Sequence, residues 1–325
     1  MDTFINKSLL KRIERVTKGR ILTIHNPFNS RYKCRLRLVI NTYVGCPNWC
    51  MYCYTYSYTP IIYINNPKSK KEFIERINED IEKYVKNNLP KLPVYVSSNC
   101  EAFHPLLEDK FAHTLYALQR LKEFDFPTII MTKFPSKLLE NPYLNVLNNL
   151  KVIIQVTIPF MNNRFEPFAP HPKERIRAVR DLSKLGFKTV VRVDPLIPTY
   201  KGVKGQSKDE INSLISELCE VGVKHIVAKC LRLSSGIKKI YPEFYNSLKP
   251  YYERYGYRES PSVWVLNDKV KIELLMPVYE ACIKYRIGFS TCMDQIESLK
   301  SEVCDGSEEI LNLPDLNSNI IIYFY

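Results

Sequence analysis

Glycine is scarce in this chain, ten among 325 residues. So few leave little room for a glycine-rich loop whose backbone amides cradle phosphates, and nucleotide hydrolysis is set aside on that ground. Histidine is scarcer still. His25, His104, His113, His171 and His225 are scattered, and no two stand at metal-ligand spacing. No apolar stretch is long enough to span a bilayer, since runs such as Val152-Ile153-Ile154 soon meet polar residues or proline. Ten cysteines in a chain of this length are too dilute for a disulfide scaffold. No charged n-region, apolar h-region and cleavage site precede them, so a reducing, cytoplasmic setting without a membrane partner is expected.

What the chain does have is enough apolar residue, 45%, to bury one large core or a core with a smaller appended piece. It carries 47 Lys and Arg against 34 Asp and Glu, a formal net charge of +13. Such a surplus concentrates polyanions around the fold, and nucleic acid is the candidate partner. A generally lysine-rich proteome would give the same balance without any such partner.

Three cysteines carry the most information. Cys46, Cys50 and Cys53 lie in Val44-Gly45-Cys46-Pro47-Asn48-Trp49-Cys50-Met51-Tyr52-Cys53-Tyr54, a C-x3-C-x2-C loop just after the strand-like run Arg37 to Tyr43. Three thiolates are one short of the four that usually close a cubane iron-sulfur cluster, which would leave one iron open. The alternatives are a structural zinc site or reduced core cysteines. Zinc sites usually pair two C-x2-C knuckles or add a C/H pair, and no His lies near the loop.

Beyond the loop the hydrophobic period alternates between strand and helix. Ser69 to Asn87 is an amphipathic helix stopped by Pro90 and Pro93, and Val94-Tyr95-Val96 is a short buried strand. Glu108 to Phe124 is helical, Thr128 to Thr132 a strand, Ser136 to Leu147 a helix, and Val152 to Ile158 a strand. Lys173 to Leu185 is a helix ended by Gly186, and Thr189 to Val193 and His225 to Ala228 are strands around a helix from about Lys208 to Val221. Six near-continuous apolar strands joined by helices predict a parallel sheet, either doubly wound or curled into a barrel.

The cysteine loop in this context resembles the radical S-adenosylmethionine (radical SAM) superfamily. That resemblance implies a [4Fe-4S] cluster on Cys46, Cys50 and Cys53 whose open iron is chelated by S-adenosylmethionine. It further implies an electron-donor protein such as a ferredoxin or flavodoxin, and a partial (β/α)6 TIM-type barrel. Further stretches are similar to the spore photoproduct lyases and their DNA repair photolyase-like group. These are Ser97 to Pro105, Thr132-Lys133, Gln155 to Ile158, Phe165 to Pro170 with Arg175, and Val193 to Pro198.

Carried over residue by residue, the resemblance gives Tyr52 a place against the adenine, Lys133 the methionine carboxylate, and Ser98 and Thr157 hydrogen bonds at the same rim. It implies a lyase of the photoproduct type in which Cys100, with Tyr52 and Tyr54, returns a hydrogen atom. The register puts the family's donor a few residues earlier, near Ser97 or Ser98. The alternative reading of Cys100 is an inert buried thiol, as free cysteine is often simply core.

Residues 1 to 31 read as an N-terminal helical extension, 32 to 233 as the core, and 234 to 325 as a C-terminal extension. Within that extension Lys238, Lys239, Lys249, Arg254 and Arg258 interleave with seven Tyr and Phe residues between Tyr241 and Tyr257. Stacking on bases with phosphate contacts, DNA favoured, is one reading. The helical spacing of Tyr241, Phe244, Tyr245 and Leu248 supports the other, a small cap over the core. Cys282, Cys292 and Cys304 are three loosely spaced cysteines that read as core or as a second metal site. Radical chemistry on RNA, a peptide or a metabolite fits the same core, as does a nonenzymatic iron-sulfur or zinc protein that binds nucleic acid.

Overall fold

The computed structural model describes residues 7–25, 36–294, 296–299, 304 and 306. Its centre is one sheet of eight strands that neighbour each other in chain order. We number them β1 (Leu22–His25), β2 (Arg37–Ile40), β3 (Val94–Val96), β4 (Thr128–Thr132), β5 (Val152–Thr157), β6 (Lys188–Leu196), β7 (His225–Cys230) and β8 (Gly288–Thr291). From β2 to β8 every pairing is parallel, and β1 runs antiparallel to β2 with Leu22 opposite Ile40. The six strands expected from the sequence are all present. No ladder joins β1 to β8 among the described residues, so the sheet is a partial barrel and not a closed one.

Side chains alternate between the two faces of a strand. Leu38, Val96, Ile130, Ile154, Val191 and Ile226 meet the helix layer and join the main core. Val39, Tyr95, Ile129, Ile153, Val190 and Val227 form a second, smaller cluster on the inner face. Continuing that alternation toward the strand ends brings Lys133, Thr157, Asp194 and Lys229 to the C-terminal rim on the inner side, where barrels of this type place their chemistry.

Two strands of this sheet, β1 and β8, lie outside residues 32–233. Asp80 receives the backbone amides of Ile21 at 2.6 Å and Leu22 at 3.1 Å and the Arg20 guanidinium at 2.8 Å, which pins β1 to the helix Phe73–Lys86. At the other end, the helix Asp268–Tyr285 starts at an Asn267 cap and leads into β8, extending the strand and helix alternation past Leu233. The helix expected over Glu108 to Phe124 is broken in two at Ala112, whose φ is +50°. Glu108 is buried at the break and receives the Thr114 and Leu115 amides at 3.0 and 2.9 Å, with the Tyr43 and Tyr143 hydroxyls also donating to it. A carboxylate on the amides that open a helix stabilises that end.

The region beyond β7 forms its own layer. Helices Ser235–Ile240 and Pro242–Tyr255 and a small antiparallel sheet, with Val263–Leu266 between Leu233–Ser234 and Gly256–Ser260, close over the cysteine loop. Phe244, Tyr245, Leu248 and Tyr252 bury there with Tyr56, Ile64, Phe160 and Phe165. Gly236 makes this docking possible, because a Cβ on it would stand 2.3 Å from the Ser57 nitrogen.

Candidate active site

The cysteine loop leaves β2 and crosses the rim of the sheet. Gly45 is required at its start. Its φ is +79°, and a Cβ there would lie 1.8 Å from the Tyr63 carbonyl oxygen. The loop then turns Cys46, Cys50 and Cys53 toward one pocket, which Trp49, Thr55, Tyr56 and Ile64 also line. Burial, with the Cys50 and Cys53 sulfurs, pushes the Cys46 thiol well up, and burial, with Glu166 and Cys53 against Lys133, holds that of Cys50 up at about 12. An electropositive group that binds the sulfurs as thiolates would offset that burial. Among the described residues no three Cys, His, Asp or Glu groups converge as they would on a single metal ion. A cubane takes each thiolate on a different iron, so its ligands need not meet at a point.

Next to the pocket stands a buried ionic group. Glu166 is wholly buried and pairs with Arg175 at 2.6 Å, while Lys133 Nζ lies 3.7 Å from its other oxygen. The Tyr52 hydroxyl donates to that same oxygen, and Lys133 sits 5.8 Å from the centre of the Tyr52 ring. Arg175 also donates to the carbonyls of Pro170 and Thr157, each at 2.8 Å. Burial works against a charge on Lys133, but Cys50 and Glu166 outweigh it and hold its pKa above the ordinary lysine range. Glu101 braces the loop after β4, accepting from the Thr132 hydroxyl at 2.6 Å and the Lys133 amide at 2.8 Å. Its own pKa is raised by burial against these hydrogen bonds.

The structure therefore gathers Cys46, Cys50, Cys53, Tyr52, Lys133 and Thr157 at one end of the barrel. Ser98 and Cys100 come to the neighbouring loop after β3. The Tyr54 hydroxyl donates to the Ser98 carbonyl at 2.6 Å, and the Cys100 thiol reaches the Ser97 hydroxyl at 3.5 Å. Burial raises the Cys100 pKa, so its S–H is retained.

Two groups on the inner face escaped sequence reasoning. Arg192 pairs with Asp194 at 2.8 Å and donates to Gln155 at 3.1 Å, and Lys229 holds the other Asp194 oxygen at 3.2 Å. The available signal was the alternation itself, which turns Arg192 and Lys229 to the same side as Val190 and Val227.

Lys238, Lys239, Arg254 and Arg258 are exposed on the C-terminal layer. Lys249 is partly exposed and pairs with Glu253 at 2.9 Å. The aromatics between them are largely spent in packing. Tyr245 and Tyr252 are buried and the Tyr241 hydroxyl donates to the Trp49 carbonyl at 2.7 Å, so the cap reading describes them; Tyr257 stays exposed. No helix among the described residues is long and apolar enough to cross a membrane.

No family model matches the chain. An uncharacterized protein of Acidianus two-tailed virus is 33% identical over 94 residues, 27% of this chain and 31% of the viral protein, so the match spans about a third of that relative's length. An uncharacterized protein of Methanocaldococcus jannaschii is 26% identical over 227 residues, 67% of this chain and 83% of that protein. Among solved structures, a spore photoproduct lyase mutant with bound AdoMet and dinucleoside spore photoproduct superposes with a TM-score of 0.61 at 16% identity, covering 90% of this chain and 86% of that one. Streptococcus suis SuiB bound to its precursor peptide SuiA gives 0.52 at 15%, covering 79% of this chain and 49% of SuiB. At such identities the likeness is one of fold. The fold is the partial barrel of the radical SAM enzymes.

Proposed function

We propose that the chain is a radical SAM enzyme acting on nucleic acid, with a DNA photoproduct as the favoured substrate class. The observation that carries this reading is that Cys46, Cys50 and Cys53 line one pocket beside Lys133 and Tyr52, at the C-terminal rim of the barrel. Those three thiols would hold a [4Fe-4S] cluster, with S-adenosylmethionine beside it. When bound and reduced by one electron, from a donor such as a ferredoxin or flavodoxin, this pair supplies a 5′-deoxyadenosyl radical.

The chain's own residues supply position and exclusion of water. Lys133 offers a fixed positive charge for the methionine carboxylate, and Glu166, itself held by Arg175, keeps both Lys133 and Tyr52 in place. Ser98 and Thr157 supply rim groups, and the C-terminal layer walls the loop through Tyr241 and Gly236. Cys100 keeps its proton and stands in the loop that Tyr54 touches through Ser98, which suits a hydrogen donor to a substrate radical.

A net charge of +13 and the exposed Lys238, Lys239, Arg254 and Arg258 favour nucleic acid. The burial of Tyr245 and Tyr252 favours a second reading, a peptide substrate, because it removes aromatics that would stack on bases. Anaerobic reconstitution followed by dithionite and S-adenosylmethionine, with ultraviolet-irradiated spore-type DNA, separates them. Repaired thymine above the no-enzyme control supports the first; 5′-deoxyadenosine without any change in the DNA counts against it.

A further inference from the structure

Cys282, Cys292 and Cys304 do not form one site. Cys282 is wholly buried in the main core, on the helix side of the sheet. Cys292 and Cys304 both pack on the other side, against the inner cluster of Val39, Tyr95, Ile129, Ile153, Val190 and Val227. Neither is in a disulfide, and both are partly exposed. Cys292 directly follows β8, and its amide donates to the Ala228 carbonyl at 2.9 Å, which fixes the backbone. Gly306, two residues beyond Cys304, lies on the same inner face, since a Cβ on it would stand 3.3 Å from the Ile153 side chain and 3.6 Å from that of Val190.

We propose that Cys292 and Cys304 form a redox-active thiol pair that takes up a small-molecule disulfide by exchange and closes to an intramolecular disulfide. The two side chains are hydrogen-bonded, so the second thiol already stands against the first. Cations stand at hand too. Arg192 and Asp194 of β6, Lys229 of β7 and Asp294 are the charged groups that act on Cys292, two positive and two negative. The Cys304 hydrogen bond is the largest influence and lowers the Cys292 pKa; burial and Asp194 oppose it, and Arg192 and Lys229 act with it. A thiolate is the attacking species in exchange.

In the first step the Cys292 thiolate attacks one sulfur of the small disulfide, forming a mixed disulfide and expelling one thiolate. Cys304, losing its proton to solvent, then attacks the Cys292 sulfur and expels the second half. Two protein thiols are oxidised to one disulfide, and the small disulfide is reduced to two thiols. Closure ties Cys304 to the end of β8 inside the barrel. Nothing in this exchange requires a cluster or S-adenosylmethionine.

The full chain, purified anaerobically, is equilibrated in mixtures of oxidised and reduced glutathione, then blocked with N-ethylmaleimide and cut with trypsin. Cleavage after Arg286 and Lys300 places Cys292 and Cys304 on separate peptides, 287–300 and 301–325. The two peptides should become disulfide-linked as the buffer grows oxidising, and in Cys304→Ser the reaction should stop at one glutathione on Cys292. At about pH 6, Cys292 should be alkylated about tenfold or more faster than Cys100, because its thiolate fraction is larger. Both peptides carrying full maleimide label in the most oxidising buffer would overturn the proposal, as would Cys292 and Cys100 reacting at equal rates.

Discussion

Arg175 Nη2 stands 2.6 Å from Glu166 Oε2, and both side chains are wholly buried. Neither belongs to the cysteine loop, yet together they fix its geometry, because Glu166 also accepts the Tyr52 hydroxyl and faces Lys133. Removing one partner leaves the other charge unpaired in the interior. Arg175→Met is therefore expected to lower stability by about 3–5 kcal/mol, read by urea unfolding, with Arg175→Met/Glu166→Gln losing less than the sum of the two single changes. A loss of under about 1 kcal/mol in Arg175→Met would show that the pair is not structural.

Lys133→Met is expected to weaken S-adenosylmethionine binding about tenfold or more, equivalent to about 1.4 kcal/mol, while iron content stays the same. Calorimetric titration of the reconstituted protein measures it. Unchanged affinity would remove Lys133 from the site.

The acid side of the stability profile should carry the signature of His104. Its Nδ1 accepts from the Leu106 amide at 3.3 Å, a role open to the neutral ring. Burial lowers its pKa from 6.5 to about 4, with Asp109 opposing. The unfolded chain takes up this proton near pH 6.5 and the fold refuses it until about pH 4. Stability from the neutral ring is thus present above pH 6.5 and is lost as the pH falls toward 4, by up to about 3 kcal/mol. His104→Asn keeps a cap acceptor without the titration. Its unfolding free energy should fall less than that of the unaltered chain between about pH 7.5 and about pH 4.5, and parallel profiles would contradict the assignment.

Changing Lys238, Lys239, Lys249, Arg254 and Arg258 to Gln should leave the fold intact, since none is buried. It should flatten the salt dependence of DNA binding by up to about 0.9 log unit for each duplex phosphate no longer neutralised. Lys249, already paired with Glu253, should contribute least. An unaltered slope with the fold retained would direct the search for substrate to peptides.

Much of this was legible in the sequence because it is local. The C-x3-C-x2-C loop sits where its spacing and the preceding strand put it, and the six strands follow from apolar runs of the right length. β8 was missed because Gly288 and Ser290 dilute a four-residue strand whose only large apolar residue is Phe289. The break at Ala112 was hidden for another reason. Helical period continues across it, and the Glu108 carboxylate that caps the second helix is recognised only once Tyr43 and Tyr143 close around it. Tyr241 to Tyr257 left stacking and packing undecided, since both use aromatics at helical spacing, and only the burial of this layer against Tyr56 and Phe165 shows packing. The nearness of Cys292 to Cys304, and of Lys133 to Glu166, arises from tertiary closure that no spacing encodes.

The most direct test of the central reading is iron and sulfide per chain after anaerobic reconstitution, measured for the unaltered protein and for Cys46→Ala/Cys50→Ala/Cys53→Ala, with 5′-deoxyadenosine assayed after dithionite and S-adenosylmethionine. The reading predicts a brown protein with about four irons and 5′-deoxyadenosine formation, and a colourless triple variant with neither. A triple variant that keeps its iron, or an unaltered protein that binds zinc and leaves S-adenosylmethionine intact, would contradict it.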